Sequence, residues 1–90
     1  MFEKFRFDFH SSKMAHGWKL ASAELRKEDT DIGLVNALLT SASESGHVAA
    51  SINSNSKITK HQRHSANKLL AGIDKMRAQM KAAPGLYLIK

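Results

Sequence analysis

The histidines are the residues of this chain best suited to acid–base or metal chemistry. His61 and His64 lie three residues apart, a spacing that lets two imidazoles on one helix share a metal ion. A metal site needs a third ligand, no carboxylate lies close in sequence, and neighbouring lysines disfavour a divalent cation. We therefore expect no metal and no cofactor. Protonation of these imidazoles near about pH 6 would strengthen the binding of an anion.

Catalysis is the weakest of the functional hypotheses. A small metal-free RNase could use His61 or His64 as a base, with Arg63 holding phosphate, but the sequence offers no identifiable second acid–base partner. Ser45 and His47 are sequence neighbours in a Ser-rich stretch and lack the arrangement of a catalytic triad. Cysteine is absent, which excludes thiol nucleophiles and disulfides, and no Gly-rich phosphate loop is present. We expect a protein that is not an enzyme.

The stretch KITKHQRHSANKLL, residues 57–70, is the strongest functional signal in the sequence. Residues 1–56 hold six Lys or Arg against seven Asp or Glu, whereas residues 57–90 hold eight against one. The net charge of +6 therefore belongs entirely to the second half of the chain. Such asymmetry indicates that this half meets an anionic partner.

A helical wheel separates the apolar residues of this segment from most of its cationic ones. At about 100° per residue, Leu69, Ile73 and Met76 fall on one side of the segment and most of its cations fall on the other. An ordinary solvated face mixes both signs of charge, yet Asp74 is the only acid in residues 57–90. We predict an anion-binding face, with a merely solvated face as the alternative. The predicted contact residues are Lys57, Lys60, His61, Arg63, His64, Asn67, Lys68 and Lys75.

Nucleic acid is the expected partner, DNA in preference to RNA, because phosphate is the commonest target of a basic stripe in a small protein. The alternative is a regulatory or inhibitory protein that docks on an acidic surface of another protein, which is compatible with small proteins of mobile elements. A helix-turn-helix with Gly46 in its turn fits poorly, because Ser41, Ser45 and Asn55 occupy positions that are usually apolar. A membrane-surface helix is not expected, since the apolar face lacks Trp and Phe.

The ends of the chain predict two short strands. Phe5, Phe7 and Phe9 alternate with polar residues, so residues 2–9 are predicted as a strand with its phenylalanines facing the core. Residues 86–89 follow a Pro-Gly breaker and form the second predicted strand, which would pair with the first or with a second subunit. If a phenylalanine were instead exposed, it would favour single-stranded nucleic acid as the target.

Helices fill the region between the predicted strands. The first is expected to begin at Ser11 or Ser12, the second near residues 28–31, where acidic and capping residues cluster. Gly46 is predicted to end the second helix, with residues 48–52 forming a short third helix or a continuation of the second. The last helix is expected over about residues 60–83. Its start carries a capping box, Thr59 and Gln62.

The predicted fold is therefore mainly α, with three to four helices and short N- and C-terminal β-strands (α+β), in one small domain of 90 residues. So small a domain has a narrow stability margin, and a homodimer would widen it. The sequence contains no apolar run long enough for a signal peptide or a membrane span. Together with the absence of cysteine, this favours the cytoplasm.

Overall fold

The fold is all-α. The computed structural model describes residues 2–53 and 57–82, which form three helices: α1 (Glu3–Leu25), α2 (Ile32–Ser51) and α3 (Lys60–Ala82). These two ranges contain no strand, so the predicted α+β class is wrong. The predicted C-terminal strand, residues 86–89, lies outside the described residues.

The predicted N-terminal strand is wrong because residues 3–10 are the first turns of α1. The prediction that α1 begins at Ser11 or Ser12 is wrong for the same reason. Phe5, Phe7 and Phe9 fit period two, but Phe7 also lies seven residues before Met14, which is a helical repeat. Phe7 and Met14 are both buried, whereas Phe5 and Phe9 face solvent. Over so short a window, the phenylalanine positions are compatible with both the two-residue period of a strand and the 3.6-residue period of a helix, and the structure has the helix.

The second helix begins where the sequence predicts and ends later than predicted. Asp31 is its N-cap, and the Asp31 carboxylate accepts a hydrogen bond from the Leu34 N–H at 3.0 Å. The prediction that Gly46 ends the second helix is wrong, because α2 continues through residues 48–51; the helix-turn-helix register with Gly46 in its turn, a poor fit to the sequence, is therefore not formed. The alternative that residues 48–52 continue the second helix is confirmed as far as Ser51.

The link between α1 and α2 is held by a buried carboxylate. Glu24, only 7% exposed, accepts a hydrogen bond from the Asp31 N–H at 3.0 Å and pairs with Lys27 at 3.1 Å. The Thr30 hydroxyl donates to the main-chain carbonyls of Glu24 and Lys27 at the end of α1, and the Glu24 carbonyl also accepts from the Lys27 N–H at 3.1 Å. These bonds fix the reversal of direction between the two helices.

Small residues bring α1 and α2 into close contact. A Cβ atom built on Gly17 would lie 3.0 Å from the Cβ of Ala42. One built on Gly46 would lie 2.6 Å from Met14 Sδ and 2.7 Å from Leu70 Cδ1. Gly46 therefore sits where all three helices meet, and its missing side chain leaves the space that two core side chains fill.

The third helix packs its apolar face against the other two, as its periodicity predicts. The predicted capping box forms: the Gln62 N–H donates to Thr59 Oγ1, and the Thr59 N–H donates to Gln62 Oε1, each at 3.0 Å. Leu70, Ile73 and Met80 are buried in the main core. A second, smaller cluster closes the end of the molecule where α1 begins; its buried members are Phe7, Ala49, Ile52 and Ile58.

The bundle is elongated, with principal extents of 45 × 19 × 17 Å. Its core is correspondingly narrow, and a large share of each helix faces outward. None of the helices in the described ranges combines the length and the apolar character needed to cross a bilayer.

Filling the space at Gly46 should destabilise the fold. Gly46→Ala gains intrinsic helix propensity, yet its methyl group must displace Met14 and Leu70, which are both buried. We expect a net loss of about 1–2 kcal/mol in the free energy of unfolding, measured by urea denaturation.

Gly72→Ala is the matched control. A Cβ at Gly72 meets nothing within 4 Å, so the same change in the middle of α3 should stabilise the protein by about 0.5–1 kcal/mol. Equal stabilisation by both substitutions would contradict the close three-helix contact at Gly46.

Candidate nucleic-acid interface

Four cationic or titratable side chains run along the outer face of α3. Lys60, His64, Lys68 and Lys75, which we call the basic stripe, are all exposed. Their spacings of four, four and seven residues keep them on one side of the helix, opposite the buried Ile73. From Lys60 to Lys75 the stripe extends about 22 Å along the helix axis.

The charge of the basic stripe is not neutralised by the rest of the described chain. Within residues 2–53 and 57–82, Lys60, Lys68 and Lys75 take part in no ion pair. Asp74, the one acid on α3, is turned away toward α2. The stripe therefore presents positive charge to solvent without a compensating carboxylate.

Arg63 is placed differently from the other predicted contact residues. It is half-buried, its guanidinium donates a hydrogen bond to the Ile52 carbonyl just after α2, and its Cζ lies 5.6 Å from the ring centroid of Phe7. The bond and the ring contact join all three helices at one end of the bundle. That Arg63 contacts nucleic acid stays a prediction, while its position gives it a clear structural role.

The remaining predicted contact residues are exposed. Lys57 lies just before α3, Asn67 lies beside the basic stripe, and His61 lines a groove between α1 and α3. In the described part of the chain, no three metal-ligating side chains converge on one point, at His61 and His64 or elsewhere. The imidazoles of His61 and His64 are both exposed and carry ring nitrogens that can form hydrogen bonds.

Three phenylalanines form an exposed ridge at the start of α1, where Phe2 is the N-cap residue. Phe2, Phe5 and Phe9, which we call the aromatic ridge, are 68%, 70% and 52% exposed. The rings of Phe5 and Phe9 lie nearly parallel, with an interplanar angle of 15° and centroids 6.4 Å apart. The ammonium group of Lys13 lies 6.0 Å from the centroid of the Phe9 ring. Trp18, by contrast, is half-buried against the main core.

Two shallow grooves join the aromatic ridge to α3. The first is lined by Phe5 and Phe9 together with Asp8 and Ser12. The second, between α1 and α3, is also lined by Asp8 and Ser12, and on its other side by His61. Because they share lining residues, the ridge and the start of α3 belong to one continuous surface.

A polar network joins α2 to α3 on another side of the bundle. Asp74 accepts a hydrogen bond from the Ser43 hydroxyl at 2.6 Å, and its other oxygen lies 2.8 Å from His47 Nε2. Arg77 donates to the Ser43 hydroxyl at 3.1 Å. Burial raises the pKa of Asp74, but the hydrogen bonds from Ser43 and His47, and the charges of His47 and Arg77, outweigh it and hold that pKa below the usual 3.8.

This network does not have the geometry of a catalytic triad. The Ser43 hydroxyl donates to Asp74 and not to His47, so the imidazole cannot act as the base that activates it. Ser43 is also 2% exposed, which keeps a substrate from reaching its oxygen. The network stabilises the packing of α3 on α2.

Sequence reasoning missed both the aromatic ridge and the polar network. The spacing of Phe2, Phe5 and Phe9 by three and four residues signalled one helical face, but it was overlooked in favour of alternation. Ser43 and His47 lie four residues apart in α2, but Asp74 is 31 and 27 residues away from them, so no local pattern joins it to the pair. Only the packing of α3 on α2 brings them together.

Compared with known proteins, the chain matches no family model, no curated protein and no solved structure. The charge, exposure and shape of its own surface are therefore what bear on its function.

The lowered pKa of Asp74 predicts how stability depends on pH. Because the folded-state pKa lies below the unfolded one, the ionised carboxylate contributes stability above about pH 4, and this is lost as the pH falls through the folded-state pKa. Asp74→Asn should lower the free energy of unfolding by about 1 kcal/mol at neutral pH, an amount discounted for partial exposure, and by much less near pH 3. Urea denaturation at both pH values measures this.

Asp8→Asn is the control for Asp74→Asn. Asp8 pairs with Lys4 at 3.0 Å on an exposed face of α1, so its replacement should cost no more than about 0.5 kcal/mol. Equal losses for the two variants at neutral pH would show that the network contributes no more than a surface ion pair.

Proposed function

We propose that this protein binds nucleic acid through the basic stripe and acts as a non-enzymatic regulatory protein. The observation that carries the proposal is the exposure of Lys60, Lys68 and Lys75 on one helical face, with no acidic partner among the described residues. A stripe of one sign raises the local concentration of polyanions and releases their counterions on binding.

The dimensions of the stripe suit a phosphate backbone. Its length of about 22 Å corresponds to six or seven base-pair steps of about 3.4 Å, so several phosphates of one strand lie within reach of its lysines. Asn67 and His64 lie between the lysines and can donate hydrogen bonds to phosphate or to base edges.

The stripe also has a cost that a purely structural helix would avoid. Lys60, Lys68 and Lys75 lie on one face of α3 about two turns apart, with no acid between them on that face, so the face carries charge of a single sign that repels itself. Glutamates at some of these positions would have stabilised α3 instead. A bound polyanion would neutralise these lysines and relieve the repulsion, which gives a reason for a face without glutamates.

Affinity should fall steeply with salt. If Lys57 and the three lysines of the stripe each neutralise a phosphate, log Kd plotted against log salt should have a slope of about 3 to 4 for duplex DNA. Fluorescence anisotropy with labelled oligonucleotides, over a range of sodium chloride concentrations, measures this slope.

Charge reversal should locate the contact surface. Lys60→Glu with Lys68→Glu should weaken nucleic-acid binding by at least about tenfold and reduce the salt slope by about 2. The melting temperature of this double variant should be unchanged or slightly higher, because repulsion along α3 is relieved. Arg26→Glu with Lys81→Glu changes the net charge equally near the opposite end of the bundle, and it should retain most of the affinity.

The outcomes separate the proposal from its alternatives. Equal loss in both double variants would mean that overall charge, and not the stripe, drives association. If duplex and single-stranded DNA and RNA all fail to bind at low salt, the proposal fails. An acidic surface of another protein would then be the partner that the stripe fits.

A further inference from the structure

We propose that the nucleic acid bound is single-stranded, and that Phe5 and Phe9 stack against its bases while the basic stripe contacts its phosphates. This inference rests on the proposed function and adds the form of the ligand. It is carried by an observation that the basic stripe does not explain, the exposure of the aromatic ridge.

The ridge is a contiguous apolar feature on a surface that could have been polar. Single exposed apolar residues are common and need no explanation, but neighbouring large ones mark an interaction site. Phe5 and Phe9 expose more than half of their surfaces and lie side by side on α1. Neither ring belongs to the two buried core clusters, in which Phe7 is the phenylalanine that α1 supplies.

The geometry of the two rings suits bases of one strand. Their planes differ by 15°, and their centroids are 6.4 Å apart, close to two nucleotide steps of about 3.4 Å. Stacking on aromatic rings is tolerant of sequence, because every base presents a π face. A duplex keeps its bases stacked on one another, so the ridge has no base faces to meet there.

The charges around the ridge are complementary to a polyanion. Lys13 lies over the Phe9 ring, and Arg6, which is exposed, lies one helical turn from both Phe2 and Phe9. Of the two acids in the first turns of α1, Glu3 and Asp8, the one between Phe5 and Phe9, Asp8, is paired with Lys4 at 3.0 Å. A second copy of the chain would bring the same cations face to face, whereas a phosphate backbone would pair with them.

The surface between the ridge and α3 is continuous, which allows one strand to use both. The grooves that meet at Asp8 and Ser12 extend from Phe5 and Phe9 to His61, and Lys68 lines the next groove along α3. A strand whose bases lie on the ridge can therefore direct its phosphates toward the basic stripe across the α1–α3 groove.

The test compares one double variant, which carries both Phe5→Ala and Phe9→Ala, with the wild-type protein. The probes are a labelled single-stranded oligonucleotide of about 15 nucleotides and the duplex of the same sequence. We expect the affinity for the single strand to fall by about tenfold or more, and the affinity for the duplex to stay unchanged. The salt slope should not change, because no cation is removed.

Two further variants distinguish base stacking from a general loss of exposed apolar surface. Leu20→Ala with Leu34→Ala removes two side chains that are each 43% exposed, away from the ridge, and should leave both affinities unchanged. Phe9→Trp keeps the stacking surface, so it should retain affinity for the single strand. Its added indole fluorescence should be quenched on binding, beyond any change in the half-buried Trp18.

Each result bears on one of the two proposals. Equal affinity for single strand and duplex, unaffected by loss of Phe5 and Phe9, would overturn the stacking role and leave the proposed function intact. Absence of binding to either probe would overturn both. If sedimentation shows a dimer that the double alanine variant converts to monomer, a second copy covers the ridge and the stacking role is wrong.

Discussion

The close approach of α1 and α2 is the constraint on which the rest of the structure depends. Where Gly17 faces Ala42 and where Gly46 faces Met14 and Leu70, the two helices leave no room for a further carbon atom. Close contact of this kind gains dispersion energy from many atom pairs and buries backbone that would otherwise meet water. It also determines where α3 can lie, because Leu70 occupies the space that Gly46 leaves open.

A core built from small side chains has little volume for large ones. Alanine, glycine and serine occupy much of the α1–α2 contact, and the main cluster holds no phenylalanine among its buried residues. The packing of α3 on α2 is accordingly supplemented by hydrogen bonds, from the Ser43 hydroxyl to Asp74 and from Arg77 to Ser43. The phenylalanines of the aromatic ridge stay outside because they lie on the face of α1 opposite the buried Phe7 and Met14, which leaves their rings available to a ligand.

Local patterns predicted α3 far better than α1. The capping box at Thr59 and the apolar spacing through Ile73 are signals within one helix, and both appear in the structure as expected. The signals in α1 conflicted, because its phenylalanines alternate over a short window while also repeating with helical spacing. Gly46 was misread for a different reason: a glycine after a Ser-rich stretch usually ends a helix, and only the tertiary contact with Leu70 explains it inside one.

The electrostatic half of the candidate site was the half that the sequence predicted unambiguously. The lysines of α3 are evident in the sequence, and their exposure follows from the burial of the opposite face of the helix. The aromatic half was present in the sequence as the helical spacing of Phe2, Phe5 and Phe9, but the structure was needed to choose that spacing over the alternation of Phe5, Phe7 and Phe9. The grooves between α1 and α3 then join the two halves, since they connect residues more than 40 positions apart in the chain, such as Asp8 and His61.

The two halves of this surface would contribute differently to recognition. Phosphate contacts from exposed lysines act over about a Debye length and barely distinguish one nucleic acid from another, so they supply rate and affinity. Contacts between aromatic rings and bases act only at van der Waals distance, and only where bases are unpaired, so they supply the discrimination between single strand and duplex. The bundle suits this division, because Gly46 packs against both Met14 of the helix that carries the ridge and Leu70 of the helix that carries the stripe, and so sets their relative orientation. The lysines of the basic stripe would bind single and double strands alike, and the two rings beside them would add the preference for unpaired bases.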